Sequence, residues 1–322
     1  MVRGAMVLAL TLLMADASVA FQEQPDGVEE QDWGVFKAGR LECVIGNNRA
    51  LGEHRAKYNG IFSIKSTDQA DTPFVPSYAG WNLENFYDAR PRHEDNNIFF
   101  EPRVAELRYK RINATTAELY QPATPYFGVE SWTTFEVKEP YYIDFTFRCI
   151  PHKADLKGGF LGIFWASYIN EPLNKSIYFL ASKGKDASPF WLQFCTQRHD
   201  HFSTVLSEKE TTELVFDETP LTTLWNQISP LRYAQPFYYG QWKDMALIFC
   251  FEPNPNIRFA QSPSGGGSTK AQDDTCPAWD FQFVIPNYEA GKEYGFKGRL
   301  VYKPWVDRAD VLAEVNKFGE AK

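Results

Sequence analysis

The sequence predicts an all-β fold: a large antiparallel β-sandwich, supersandwich or jelly-roll like, with a short C-terminal helix. Three observations lead there. Short β-type runs recur along the whole chain, separated by Gly and Pro punctuation. No amphipathic helices alternate with them, which argues against a βαβ arrangement. The stretch YIDFTFRCIPH, residues 142–152, puts Ile143, Phe145, Phe147 and Cys149 on one parity and Tyr142, Asp144, Thr146, Arg148 and His152 on the other. That period of two is a strand with one face in a core and one face out.

Taken in order, residues 1–20 combine a basic Arg3, an apolar run from Ala5 to Met14 and small residues before Phe21, which reads as a secretory signal peptide. The run is too short to span a membrane and no later window is long enough. The expectation is a secreted or periplasmic protein with no membrane contact after cleavage, and residues 21–322 as a single domain. All-β units of this kind often reach roughly 200–250 residues. The expected strands are 41–45, 61–65, 98–100, 104–110, 115–121, 131–137, 142–152, 159–169, 176–181, 190–194, 245–251, 279–285 and 295–305. The pattern weakens between Ser207 and Gly240, as in a long binding loop or lid. Val311, Leu312, Val315 and Phe318 form one helical stripe, predicting a helix over 306–318 that packs on the sandwich edge and stops at Gly319.

The formal net charge is −8, without any cluster of Lys or Arg, so nucleic acid and anionic membranes are poor partners. Acidic polysaccharides are repelled on average, although a local Arg cluster can still hold one. Cys43, Cys149, Cys195, Cys250 and Cys276 are odd in number, so one thiol at least is left over. Cys250 with Cys276 is the expected disulfide, closing the loop that carries SPSGGGST, and Cys149 reads as a buried small hydrophobe. No CxxC, G-x-S-x-G or phosphate-binding glycine motif occurs.

Chemistry is expected at several places. Tyr142, Asp144, Arg148 and His152 share the outward face of their strand, more than a wet sheet requires. In QRHDHFST, an extended backbone puts His199 and His201 on one side; they can serve as acid and orienting group for a sugar, begin a metal site, or be solvated. ARPRHEDNN gathers Arg92 and His93 beside acids, and Trp81 and Trp165 flank polar residues as sugar-stacking rings do. Asp144, Glu171, Asp280 and Glu293 are the pool for a carboxylate acid and base.

On ARPRHE, IDFTFRCIPH, FWASYINEP and PAWDF (277–281), the chain resembles the galactose-mutarotase-like supersandwich group. The resemblance implies a carbohydrate ligand on the concave face of the sandwich and fixes no reaction; the His and late Glu of an epimerase have no assigned counterpart. The expectation is a secreted carbohydrate-active protein, an epimerase, lyase or glycosidase, with catalytic His199, His201, His152 and Asp144 and with Arg148, Tyr142, Arg92, His93, Trp81 and Trp165 on the substrate. No cofactor is expected, and a metal at His199 and His201 stays open. A non-catalytic carbohydrate-binding module and a metal-dependent jelly-roll enzyme are the alternatives. The sequence leaves the oligomeric state undetermined.

Overall fold

The computed structural model describes residues 31–320 apart from 91, 185–187, 219–221 and 269–274; the expected signal segment lies outside the described residues. The strands are β1 Trp33–Ala38, β2 Leu41–Gly46, β3 Gly60–Ser66, β4 Asn82–Tyr87, β5 Arg108–Arg111, β6 Thr116–Gln121, β7 Val129–Lys138, β8 Tyr142–Pro151, β9 Phe160–Ala166, β10 Ile177–Ser182, β11 Phe190–Phe194, β12 Thr204–Ser207, β13 Ile228–Tyr233, β14 Phe237–Trp242, β15 Met245–Phe251, β16 Ile257–Ser262, β17 Ala278–Pro286 and β18 Tyr294–Pro304. Helices α1 Asn96–Phe99 and α2 Glu101–Val104 follow β4, and α3 Arg308–Glu320 follows β18.

β1, β2 and β3 form a small sheet. The remaining strands form a sheet of 15 in the order β4-β9-β17-β16-β12-β13-β10-β14-β15-β18-β8-β7-β6-β5, with β11 added beside β10. Pairing is antiparallel except between β12 and β13, which run parallel. The long sheet folds over on itself, so that its two ends face each other through aromatic side chains. Phe147 of β8 meets Trp165 of β9 edge-on at 4.7 Å, and Trp81 meets Phe145 at 4.4 Å. The alternation of β8 is as expected, with Phe145, Phe147 and Cys149 buried.

A second apolar layer lies on the opposite face of β4, β9, β17 and β16, where Tyr87, Phe160, Phe164 and Val284 meet Trp225, with Leu214 and Phe216 packed against them. The last three belong to the long connection between β12 and β13. These strands are therefore covered on both sides, and β17 is buried at all but its last residue.

Several expectations need correction. Residues 98–100 are not a strand: Ile98 and Phe99 belong to α1, whose Asp95 cap accepts from Asn97 N, and Pro102 lets α2 begin at once. The strand predicted over 104–110 shrinks to β5. β1, β4, β12, β13, β14 and β16 were not expected; β4, β12, β14 and β16 are buried along almost their whole length, and strands covered on both faces do not alternate cleanly. Gly319 lies within α3, not beyond it. No disulfide joins Cys250 to Cys276: Cys250 packs under α3 with Val301 and Val311, whereas the Sγ of Cys276 sits 4.0 Å from Asn170 Oδ1.

α3 docks through its apolar stripe and one carboxylate. Glu314 is 1% exposed and accepts from Tyr142 Oη at 2.7 Å, Tyr141 Oη at 2.9 Å, Lys317 Nζ at 3.0 Å and Lys303 Nζ at 3.2 Å. Burial alone pushes this carboxyl up, but the hydrogen bonds from Tyr142, Lys317, Tyr141 and Lys303 outweigh it and bring it to about 2, from an ordinary 4.5. Removing one member of a buried ion pair typically costs ~3–5 kcal/mol. Asp310 still serves Lys303, so Glu314→Ala is expected near the low end, about 3 kcal/mol, read as a loss of urea stability at pH 7. Because the folded carboxyl is the stronger acid, its contribution is whole above pH 4.5 and drains as pH falls toward 2. The stability gap between the wild type and Glu314→Gln is expected to close across that window.

Candidate active site

The second layer encloses a cavity of about 290 Å³, near the lower end of the ~300–1,000 Å³ usual for small-molecule pockets. Its floor is the outer face of β4, β9 and β17. Asp280 is paired in register with Ala260 of β16, and Ala166 and Ala278 line the cavity beside it. Small side chains around one carboxyl leave a hollow where larger ones would fill the layer. Its walls are aromatic: Tyr58, Phe99, Phe100, Tyr168 and Trp225.

The Trp225 wall is built from the sheet. Tyr87 lies flat over Gly162, where a Cβ would fall 2.0 Å from its ring, and Trp225 stacks on Tyr87 at 4.8 Å with 10° between planes. Tyr87 Oη donates to Gln282 Oε1, Gln282 Nε2 donates to Thr204 Oγ1, and Thr204 Oγ1 donates to Leu224 O, all within 2.6–2.7 Å. This relay ties the connection to β17 through buried hydrogen bonds.

Glu84 enters because β4 slips register between Leu83 and Asn85. Neighbours on a regular strand face opposite ways, and the bulge lets both Glu84 and Asn85 line the cavity. Glu84 Oε1 accepts from Arg103 Nη1 at 2.9 Å and from Tyr168 Oη at 2.8 Å. Arg103 is held in turn between the rings of Tyr58 and Phe100, at 4.0 and 4.5 Å.

Asp280 is 1% exposed. Its Oδ1 accepts from Ser167 N at 3.0 Å, and its Oδ2 has no hydrogen-bond partner among the described residues. Burial pushes this carboxyl well above the usual carboxylate range; the Ser167 bond works against that, and the charge of Glu84 adds to it. The floor therefore carries a carboxyl that burial biases toward its protonated form, near a second carboxyl held by an arginine.

Of the residues expected from sequence, Arg92 and His199 line this cavity. Arg92 lies over the Phe99 ring at 4.7 Å, and His199 Nδ1 is within 2.7 Å of Ser262 Oγ. His199 and His201 do not share a strand face. They sit in a turn where Asp200 and Phe202 have φ of +55° and +51°, and His201 packs beside Phe202. His93 packs against Tyr126 and Phe127. The outward face of β8 is not a cleft. Tyr142 bonds Glu314, Asp144 pairs with Arg299 and Lys138, Arg148 with Glu293, and His152 with Glu130. Trp81 and Trp165, at 1% and 0% exposure, belong to the central core, so neither offers a ring to a ligand. No group of three or more His, Cys, Asp or Glu able to hold a metal occurs among the described residues.

Sequence reasoning placed Asp280 in its pool of acids but missed Glu84, Asn85, Tyr58, Arg103, Tyr168 and Trp225. NLENFY conceals its strand because the bulge breaks the alternation. The clearest usable signal was Asp280 itself, a charge within WDFQFVI, a run otherwise fit for burial.

No family model matches the sequence, and no curated protein does. Solved structures with a similar chain trace include a provisionally named aldose 1-epimerase from Escherichia coli K12, 10% identical with a TM-score of 0.49, covering 85% of this chain and 99% of its own. A galactose mutarotase-like protein from Lactobacillus casei is 7% identical with a TM-score of 0.46, covering 84% and 99%. A heparan sulfate lyase HepC mutant from Pedobacter heparinus is 10% identical with a TM-score of 0.44, covering 88% of this chain and 38% of its own. The chain resembles the galactose-mutarotase-like group at the level of fold only.

A buried carboxyl with one oxygen unpartnered costs stability. With the folded carboxyl of Asp280 a weaker acid than in the unfolded chain, the contribution of this one group to stability is greatest below the unfolded value, about 3.9, and is lost as pH rises through the folded one. Asp280→Asn does not titrate. It is therefore expected to melt above the wild type at pH 8, with the difference shrinking toward pH 4, as differential scanning calorimetry would measure.

Proposed function

We propose that this chain is a carbohydrate-active enzyme that holds one sugar residue in the cavity and moves protons on it, with Asp280 as acid and Glu84 as base. The observation that carries the reading is Asp280: a buried carboxyl, pushed toward its neutral form by burial, with one oxygen unpartnered on the floor of an aromatic-walled polar cavity. A pyranose suits such a space, because its apolar face packs on rings while its hydroxyls need paired donors and acceptors. Glu84, oriented by Arg103 and Tyr168, and Asn85 supply acceptors and an amide, and Arg92 and His199 add donors at the wall.

The simplest reaction this pair supports is interconversion of anomers. Asp280 gives its proton to the ring oxygen while Glu84 takes the proton of the 1-hydroxyl. The bond from C1 to the ring oxygen breaks, leaving the open-chain aldehyde, and reclosure on the other face returns both protons. Export belongs to the same reading, carried by the leader-like residues 1–20.

Polarimetry of freshly dissolved α-D-glucose and α-D-galactose tests it. The wild type is expected to speed the approach to equilibrium, and Asp280→Asn and Glu84→Gln to lose about 10²–10⁴-fold, the usual contribution of a positioned acid or base. Activity should persist above the ordinary carboxylate range and fall as pH rises past the raised value of Asp280. Sugar binding without turnover, unaltered by Asp280→Asn, would instead mean a non-catalytic binding module. Absence of both binding and turnover would sink the sugar reading.

A further inference from the structure

Arg103 lines the sugar cavity and also a second basin of about 440 Å³, bordered by Asn48, Arg49, Lys57, Ala105 and Glu106. Arg49 and Lys57 are exposed there, and neither has an ion-pair partner among the described residues. Glu106, the one acid of the lining, is engaged by Arg108 at 2.6 Å. In a chain of formal net charge −8, this basin keeps two uncompensated cations beside a third that holds Glu84.

Their placement is fixed from within. The carbonyl of Lys57 accepts from Arg103 Nε at 2.8 Å and its N–H donates to Asn48 O at 2.8 Å. Both contacts hold Lys57 at φ +78°, a left-handed conformation that glycine adopts more easily and that calls for a reason when lysine keeps it. Asn48 Nδ2 clamps the carbonyls of Arg103 and Ala105 at 2.9 and 2.8 Å. The guanidinium that orients the proposed base thus also sets the rim of the basin. Repulsion from the overall negative charge is screened beyond about 8 Å at physiological salt, so at contact the local cations decide.

We propose that the basin seats an oxyanion, carboxylate or sulfate, carried by the saccharide unit next to the one in the cavity, and that the ligand is an acidic oligosaccharide. This rests on the sugar reading of the first cavity. Calorimetric titration of the full chain with cellobiose, with cellobiouronic acid and with sodium sulfate tests both levels, using the wild type, Asp280→Asn and the double variant Arg49→Ala/Lys57→Ala. The acidic disaccharide is expected to bind the wild type at least tenfold more tightly than cellobiose at 50 mM NaCl, with the advantage gone at 500 mM. The double variant should lose that preference and keep its cellobiose affinity. Sulfate should bind the wild type and Asp280→Asn alike and fail to bind the double variant. Equal affinities for the two disaccharides, or a preference that the double variant retains, would overturn the proposal. If neither disaccharide binds, sulfate decides: loss in the double variant upholds the oxyanion basin while sinking the sugar reading, and indifference to it overturns the basin as well.

Discussion

Both faces of β17 are out of water, and the site follows from that constraint. A strand covered on one side sends every second residue to solvent, where a charge costs little. In β17 the residues that alternate with Trp279, Phe281 and Phe283 meet a second layer instead, so Asp280 and Gln282 must be satisfied inside the protein. Gln282 is satisfied by Tyr87 and Thr204 and serves as a structural tie. Asp280 is satisfied at one oxygen only. Two neighbouring polar positions of one strand thus take opposite roles, one closing the layer and the other leaving an opening in it.

The molecule handles its buried charges in two ways. At Glu314, hydroxyls and ammonium groups surround the carboxylate and fasten a terminal helix to the sandwich. At Asp280 a single backbone N–H answers the carboxyl, and burial favours the protonated form. One arrangement surrounds the charge with polar contacts, and the other leaves the carboxyl with one.

The sequence made the sandwich legible wherever one face met solvent, as in β7 and β8, because period two survives there. The same rule drew attention to a face other than the one that lines the cavity. Asp144, Arg148 and His152 stood out because they alternate, and alternation marks a strand face already supplied with ion partners from β7, β18 and the loop before it. The lining of the cavity comes from strands buried on both faces, a bulge at Glu84, and two aromatic walls brought from distant segments. His199 was visible as part of a histidine pair, yet the turn that aims it depends on positive φ at Asp200 and Phe202, which residue type alone does not announce. Trp81 and Trp165 looked like sugar platforms because polar residues lie near them in sequence, but both rings are buried in the central core.

Roof and floor of the cavity are different kinds of structure. The floor is a ladder of paired strands whose register fixes every side chain, so a substitution there disturbs two layers at once. The roof around Leu224 and Trp225 is carried on a connection whose described residues contribute no rung to the long sheet until β13 begins. The roof can therefore be lengthened, shortened or recut without disturbing the strand register that holds the two carboxyls, so that the shape of the cavity and the placing of its acids are separable.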